Sequence, residues 1–170
     1  MAETFKEYLI KQKKSPTDIL AQVGLVVGTI ISIGIALLYG GSFIGPVFII
    51  GILFGVGFLF SKFSREYEYI LTNNELDIDV IYNRSRRKRV MTIDMKKIEI
   101  MASIKDERHQ AELNKGYKVI NVSDNSNDDN TYVVMTQTPT KGACKVLISP
   151  NEAFVNDLFR QAPNKVFKRA

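Results

Sequence analysis

Two hydrophobic textures divide the chain. From Ile19 to Phe60 there is no Lys, Arg, Asp, Glu or His, whereas from Arg65 onward apolar and polar residues alternate. The first apolar run, Ile19 to Leu38, is interrupted only by Gln22, Thr29 and Ser32. At roughly 1.5 Å per residue it matches a hydrocarbon core of about 30 Å. Tyr39-Gly40-Gly41-Ser42 breaks the pattern, and Phe43 to Phe60 supplies a second run with Pro46 near its start, where a first helical turn tolerates proline. The pattern predicts two membrane-spanning helices, 19–39 and 43–60, joined by a chargeless turn.

A single buried helix of a soluble protein is disfavoured by the Gly-Gly break. A cleaved leader is disfavoured by the long segment before the run and the lack of an A-x-A site. Lys11, Lys13 and Lys14 precede the first run, and Lys62 and Arg65 follow the second. Positive flanks stay in the cytoplasm, so both termini are expected there, with the protein multi-pass in the cell membrane. Tyr39 and Phe43 at the turn, and Phe58, Phe60 and Phe63 at the other end, suit the interface. Small residues recur at Gly24, Gly28, Ser32 and Ala36, and at Gly51 and Gly55. Such faces allow close helix packing. Packing of the hairpin on itself is favoured over a homo-oligomer contact.

Beyond the runs the period is that of half-buried strands. Tyr67, Tyr69 and Leu71 share one face and Glu66 and Glu68 the other. After an Asn73-Asn74 turn, Leu76, Ile78, Val80 and Tyr82 point inward while Glu75, Asp77 and Asp79 point outward. Further strands are expected near Lys88–Ile93, Lys97–Met101, Tyr117–Val122, Tyr132–Gln137 and Cys144–Ile148. Ser103 to Lys115 is expected to be a loop or short helix. Ser149, Pro150, Asn151 and Glu152 read as an S-x-x-E capping box. The helix that follows carries an apolar stripe of Phe154, Val155, Leu158, Phe159 and Ala162 and ends at Pro163.

About seven antiparallel strands and one C-terminal helix follow the element order of a pleckstrin-homology-like (PH-like) fold, a bent, partly open barrel closed at one end by the helix. In Glu66–Thr72, Glu75-Leu76, the basic hairpin and Ile93–Glu99, the chain resembles bacterial membrane proteins that carry such a domain beside two membrane helices. The expected organisation is a cytoplasmic N-terminal segment 1–18, a transmembrane hairpin 19–60, a PH-like β domain 65–162 and a basic tail 163–170. The resemblance implies a fold and no activity.

Composition sharpens this reading in two places. The formal net charge is +5, and the densest basic cluster is Arg84, Arg86, Arg87, Lys88 and Arg89. It either contacts anionic lipid headgroups, each charge contributing about 1 kcal/mol near the surface, or forms a solvated loop that guards a strand edge. Nucleic acid ranks last, because no aromatic residues interleave with the charges. PH-like domains that bind phosphoinositides usually use the first hairpin loop, here Asn73-Asn74, which lacks a basic residue. Cys144 is the single cysteine, which excludes an intramolecular disulfide.

Asp124, Ser126 and Asp128 imitate the start of a calcium loop, but Asp129 stands where glycine belongs and Met135 where the bidentate glutamate belongs. His109 reads as a surface side chain and Cys144 as a small apolar filler. No catalytic residue, metal site or cofactor is expected. The sequence points to a non-enzymatic, membrane-anchored binding or scaffolding module with a protein partner. The alternative is an accessory or oligomeric subunit of a transport or channel complex.

Overall fold

The computed structural model describes residues 5–126, 128, 130–139 and 141–169. Two units emerge, 1–13 with 66–170 and 14–65.

The second unit is a pair of antiparallel apolar helices, α1 (Pro16–Tyr39) and α2 (Gly41–Ser61). Both are long and apolar enough to cross a membrane, with mean hydropathy of 2.2 and 2.5. Helix α1 starts before Ile19 because Ser15 precedes a proline at the first helical position and Asp18 accepts from the Ser15 backbone N–H at 3.2 Å. Its hydroxyls are satisfied within the helix: Thr29 donates to the Leu25 carbonyl at 2.6 Å and Ser32 to the Gly28 carbonyl at 2.8 Å. Such pairing is required where no water is available.

Gly40 alone separates the two helices, and Gly41 takes φ of +58°, a conformation natural to glycine. A Cβ on Gly40 would sit 2.5 Å from the Gly45 Cα, so the reversal depends on two backbones meeting there. Pro46 lies beyond the first turn of α2, contrary to the sequence reading, because the helix begins at Gly41. The Ser42 carbonyl therefore has no N–H four residues on.

The first unit is mainly β. Its strands are β1 (Phe5–Lys11), β2 (Arg65–Thr72), β3 (Glu75–Tyr82), β4 (Arg86–Asp94), β5 (Ile100–Ser103), β6 (Lys118–Asn121), β7 (Tyr132–Thr138) and β8 (Gly142–Ile148). They form two four-stranded sheets, ordered β1-β2-β3-β4 and β5-β7-β8-β6. The two sheets do not close into a barrel, and β6 pairs with β8 in parallel, a departure from the antiparallel barrel expected. The segment 103–115 supplies a 3-10 turn (Glu107–His109) and a short helix, α3 (Gln110–Leu113). Helix α4 (Glu152–Gln161) packs on the core.

Strand β1 lies in the segment expected to be a separate N-terminal stretch. It pairs antiparallel with β2 from Phe5↔Thr72 to Lys11↔Glu66. The helical pair is therefore inserted between two adjacent strands of one sheet. The tail is also part of the fold: Val166 is buried, Met101 N–H donates to the Lys165 carbonyl at 2.7 Å, and Phe167 N–H donates to the Met101 carbonyl at 2.8 Å. Residues 165–167 thus cover the outer edge of β5.

The principal core joins both sheets and α4 through Tyr69, Leu71, Ile78, Val134, Ile148 and Leu158. Tyr69 is the tie between sheets. Its hydroxyl donates to the Val122 carbonyl at 2.6 Å and accepts from the Ser149 N–H at 3.1 Å. The expected capping box is displaced: Asn151, not Ser149, caps α4 by accepting from Phe154 N–H at 2.8 Å. Ser149 instead donates its hydroxyl to Asp124 at 2.8 Å.

Candidate functional site

The basic cluster sits on the β3–β4 connection. Asn83 and Arg84 both take positive φ, 48° and 54°, and Ser85 N–H donates to the Tyr82 carbonyl at 3.1 Å. Strand alternation then splits the four basic charges on β4 into two sets. Arg87 and Arg89 lie opposite Ile81 and Asp79 on the outer face of the first sheet. Arg86 and Lys88 lie opposite Tyr82 and Val80 on the other face, at the projecting end of the hairpin.

The first set, and Arg84 in the turn, are already paired. Arg84 meets Glu66 at 3.4 Å, Arg87 meets Glu68 at 2.7 Å, and Arg89 bridges Asp79 and Asp77, the latter at 2.6 Å. The arginines are far more exposed than their partners: 55% for Arg87 against 2% for Glu68. The outward glutamates of the alternating pattern thus lie under arginine side chains. Among the described residues Arg86 and Lys88 have no ion-pair partner. They are the two members of the cluster that can meet an external anion without breaking an internal pair.

Glu68 is the most perturbed carboxyl of this face. Burial pushes it up, a side-chain hydrogen bond with Glu7 adds to this, the Arg87 charge only partly opposes them, and repulsion from Glu7 and Asp79 contributes further, leaving it at about 7. Arg89 moves the other way. Burial works against its charge, but the hydrogen bond to Asp79 and the field of Asp77 hold it above the usual guanidinium value. A charge-rich sheet face with one carboxyl near neutrality is therefore built from β1, β2, β3 and β4. The signal for it was in the sequence, since Glu66, Glu68, Asp77 and Asp79 alternate on neighbouring strands and Arg87 and Arg89 do so on the next.

The other candidate residues are placed as follows. Gly24, Gly28 and Ser32 on α1, and Gly51 and Gly55 on α2, are exposed, and an added Cβ at any of these glycines meets no atom within 4 Å. Less exposed positions include Gln22, Leu25, Thr29, Ile33, Gly34 and Ala36 on α1 and Gly45, Ile49, Ile52, Val56 and Phe60 on α2. Ala36 alone of the small-residue set lies on that seam, where its carbonyl accepts from Gly40 N–H at 2.9 Å.

Asp124 is occupied by local bonds from the Ser126 hydroxyl at 2.6 Å and the Ser149 hydroxyl at 2.8 Å. Asp129 lies outside the described residues. Among the described residues no group of three or more His, Cys, Asp or Glu side chains is placed to hold a metal. His109 is stacked on Phe167, ring centroids 4.0 Å apart, and contacts Asp106 at 3.1 Å. Cys144 is buried in the core, and burial raises its thiol.

A two-sheet β domain with a C-terminal helix, interrupted by two apolar helices, defines a PH-like protein whose helices fit a two-helix membrane protein. The chain belongs to the family described as Bacterial PH-like domain (DUF6106), which residues 2–168 match. No curated protein and no solved structure matches the chain.

Proposed function

We propose that the chain is a non-enzymatic module, anchored by a membrane hairpin, that holds its PH-like domain against the cytoplasmic face of the cell membrane for binding or scaffolding. The pairing of β1 with β2 carries this reading. The strand before the helices and the strand after them are neighbours in one sheet, so both flanks of the hairpin belong on one side of the bilayer. The lysines and arginine of those flanks favour the cytoplasm. Arg86 and Lys88 are then the anionic-lipid contact, each contributing on the order of 1 kcal/mol near a charged leaflet.

Thiol labelling of intact cells tests the arrangement in a Cys144→Ala background. Ser42→Cys, at the turn, is expected to react with a membrane-impermeant maleimide from outside. Asn164→Cys is expected to react only after permeabilisation. The reverse pattern, or external labelling of both, defeats the proposal.

A second reading is an oligomeric or accessory subunit of a transport or channel complex. It is favoured by the exposed Gly24, Gly28, Gly51 and Gly55, which leave room for another helix to approach. Native mass measurement in mild detergent separates the two, because a strictly monomeric protein leaves the oligomeric reading without support.

A further inference from the structure

The two sheets have four edges, and three of them carry a feature that discourages a further strand from adding. The β5 edge is covered by residues 165–167. The β4 edge presents Arg86, Arg87, Lys88 and Arg89 and a bulge, since Met91 pairs with Ile78 and Arg89 with Asp79, leaving Val90 unopposed. Strand β6 is only four residues long. Strand β1 has seven residues, and its register with β2 is unbroken. Among the described residues its backbone bonds to no strand but β2.

Strand alternation puts Phe5, Glu7, Leu9 and Lys11 on one face of β1, and all four are exposed, Leu9 at 50%. Lys11 has no ion-pair partner among the described residues. Glu7 adjoins Glu68 of its own sheet, so a cation brought to it answers two carboxyls. Beside the edge lies a cleft of about 490 Å³, with Tyr8–Lys11 on one wall and Asp124, Asn130 and the start of α4 on the other. Beyond Lys11 the edge is closed. Lys13 N–H donates to the Asp124 carbonyl at 2.9 Å, and the Asn125 side chain donates to the Lys13 carbonyl at 2.9 Å.

We propose that β1 pairs antiparallel with β1 of a second copy of this chain, centred on Leu9, so that two four-stranded sheets join into one. The two-fold axis of such a pair is normal to the sheet and keeps like faces together. Centring on Leu9 sets Glu7 of each copy opposite Lys11 of the other, Leu9 opposite Leu9, and Tyr8 opposite Ile10. Opposite-charge and apolar cross-strand pairs both stabilise a sheet. Centring on Tyr8 instead sets Glu7 opposite Leu9 and Lys11 opposite Phe5, which leaves every charge unmatched. The ladder from Glu7 to Lys11 is small for a stable interface in solution. Confinement of both copies to one bilayer supplies the effective concentration it needs. The pairing thus names the partner of the binding module proposed above and rests on its membrane anchoring.

The test is oxidative cross-linking of the full chain in membrane vesicles from expressing cells, with copper phenanthroline as oxidant and a Cys144→Ala background. Leu9→Cys is expected to give a disulfide-linked dimer, because directly opposed Cα atoms in an antiparallel pair lie about 4.5–5.5 Å apart. Phe5→Cys is exposed on the same face but lies roughly 26 Å from its counterpart in this register, and should cross-link at least tenfold more slowly. With Leu9→Cys retained, Glu7→Lys alone or Lys11→Glu alone should cut the dimer severalfold by opposing like charges. Differently tagged Glu7→Lys and Lys11→Glu chains, co-expressed, should restore it between the two tags, which also verifies that both variants fold. Equal cross-linking of Leu9→Cys and Phe5→Cys, the result of random or helix-driven encounter, overturns the proposal. So does a mixed pair no better than either variant alone, or a Leu9→Cys adduct with a different protein in place of the dimer. Reversed labelling at Ser42→Cys and Asn164→Cys would defeat the cytoplasmic arrangement and leave these outcomes unaltered.

Discussion

The two sheets of the β domain share one core but cover their outer faces by opposite means. Behind β5-β7-β8-β6, Ile100, Ala102, Val133 and Met135 are buried under Leu113, with Ile104, Tyr117, Leu147 and Phe167 around them. Behind β1-β2-β3-β4, Glu66, Glu68 and Asp79 are buried beneath Arg84, Arg87 and Arg89. An apolar cover is non-directional and indifferent to pH, whereas an ionic one depends on each partner and on protonation. The second sheet is therefore the structural half of the domain and the first the responsive half.

The largest effect that separates the halves is expected at Met135, fully buried on the outer face of the second sheet. Met135→Ala should destabilise the β domain by about 4 kcal/mol through lost contacts and a residual cavity. The partly buried Ile70, on the outer face of the first sheet, should lose about 1 kcal/mol on the same change. Chemical unfolding in detergent, followed by tyrosine fluorescence, reads both. Equal losses would erase the distinction.

The next effect is pH-dependent and belongs to the first sheet. Glu68 stands at about 7 in the folded chain against an ordinary 4.5, so the folded state holds its proton more tightly than the unfolded one. Below 4.5 both states are protonated and no penalty applies. Between 4.5 and 7 stability falls as pH rises, by on the order of 3 kcal/mol in total, and above 7 the penalty is constant. Glu68→Gln should remove that slope, while Arg87→Ala should steepen it by leaving the carboxylate without its cation. An unaltered slope in Glu68→Gln would assign the titration elsewhere.

How these halves read in the sequence follows from the range of the interactions that make them. The β2–β3 alternation and the apolar helices are local patterns, legible without partners. The stretch Tyr132–Met135 carries no alternation because its sheet is buried on both faces. Strand β1 was missed because its partner lies beyond two apolar helices, and no local period announces a pairing at that separation. The docked tail escaped for the same reason, since the edge it covers belongs to β5. The basic cluster was visible as five charges, but its division into paired arginines and outlying Arg86 and Lys88 needed the strand register.

A smaller effect probes the tie between the halves. Tyr69→Phe keeps the ring among Tyr8 and Phe154 but deletes the hydroxyl that joins the Val122 carbonyl to the Ser149 N–H. Two buried backbone groups lose their partner, and a loss of about 2 kcal/mol is expected. Hydrogen exchange should localise it, with protection falling at Ser149. A loss confined to the ring packing, with exchange at Ser149 unchanged, would mean that the sheets are held by apolar contact alone.

The smallest effect concerns the start of α4, where the sequence suggested one cap and the backbone uses another. Ser149-Pro150-Asn151-Glu152 satisfies the S-x-x-E pattern, yet Ser149 is diverted to Asp124, and the Asn151 side chain accepts from Phe154 N–H. Asn151→Ala should therefore cost about 1 kcal/mol, the usual loss of an N-cap, with little dependence on pH. Ser149→Ala acts on Asp124 instead. Burial there raises the carboxyl, but bonds from Ser126 and Ser149 prevail and hold it below its ordinary value. That stabilisation is present above the unfolded value of 3.8 and is lost as pH falls through the folded one, so Ser149→Ala should weaken the domain at pH 7 and matter less in strong acid. Paired unfolding curves at two pH values separate a cap from a carboxylate partner, and matching pH profiles for the two variants would return Ser149 to the cap.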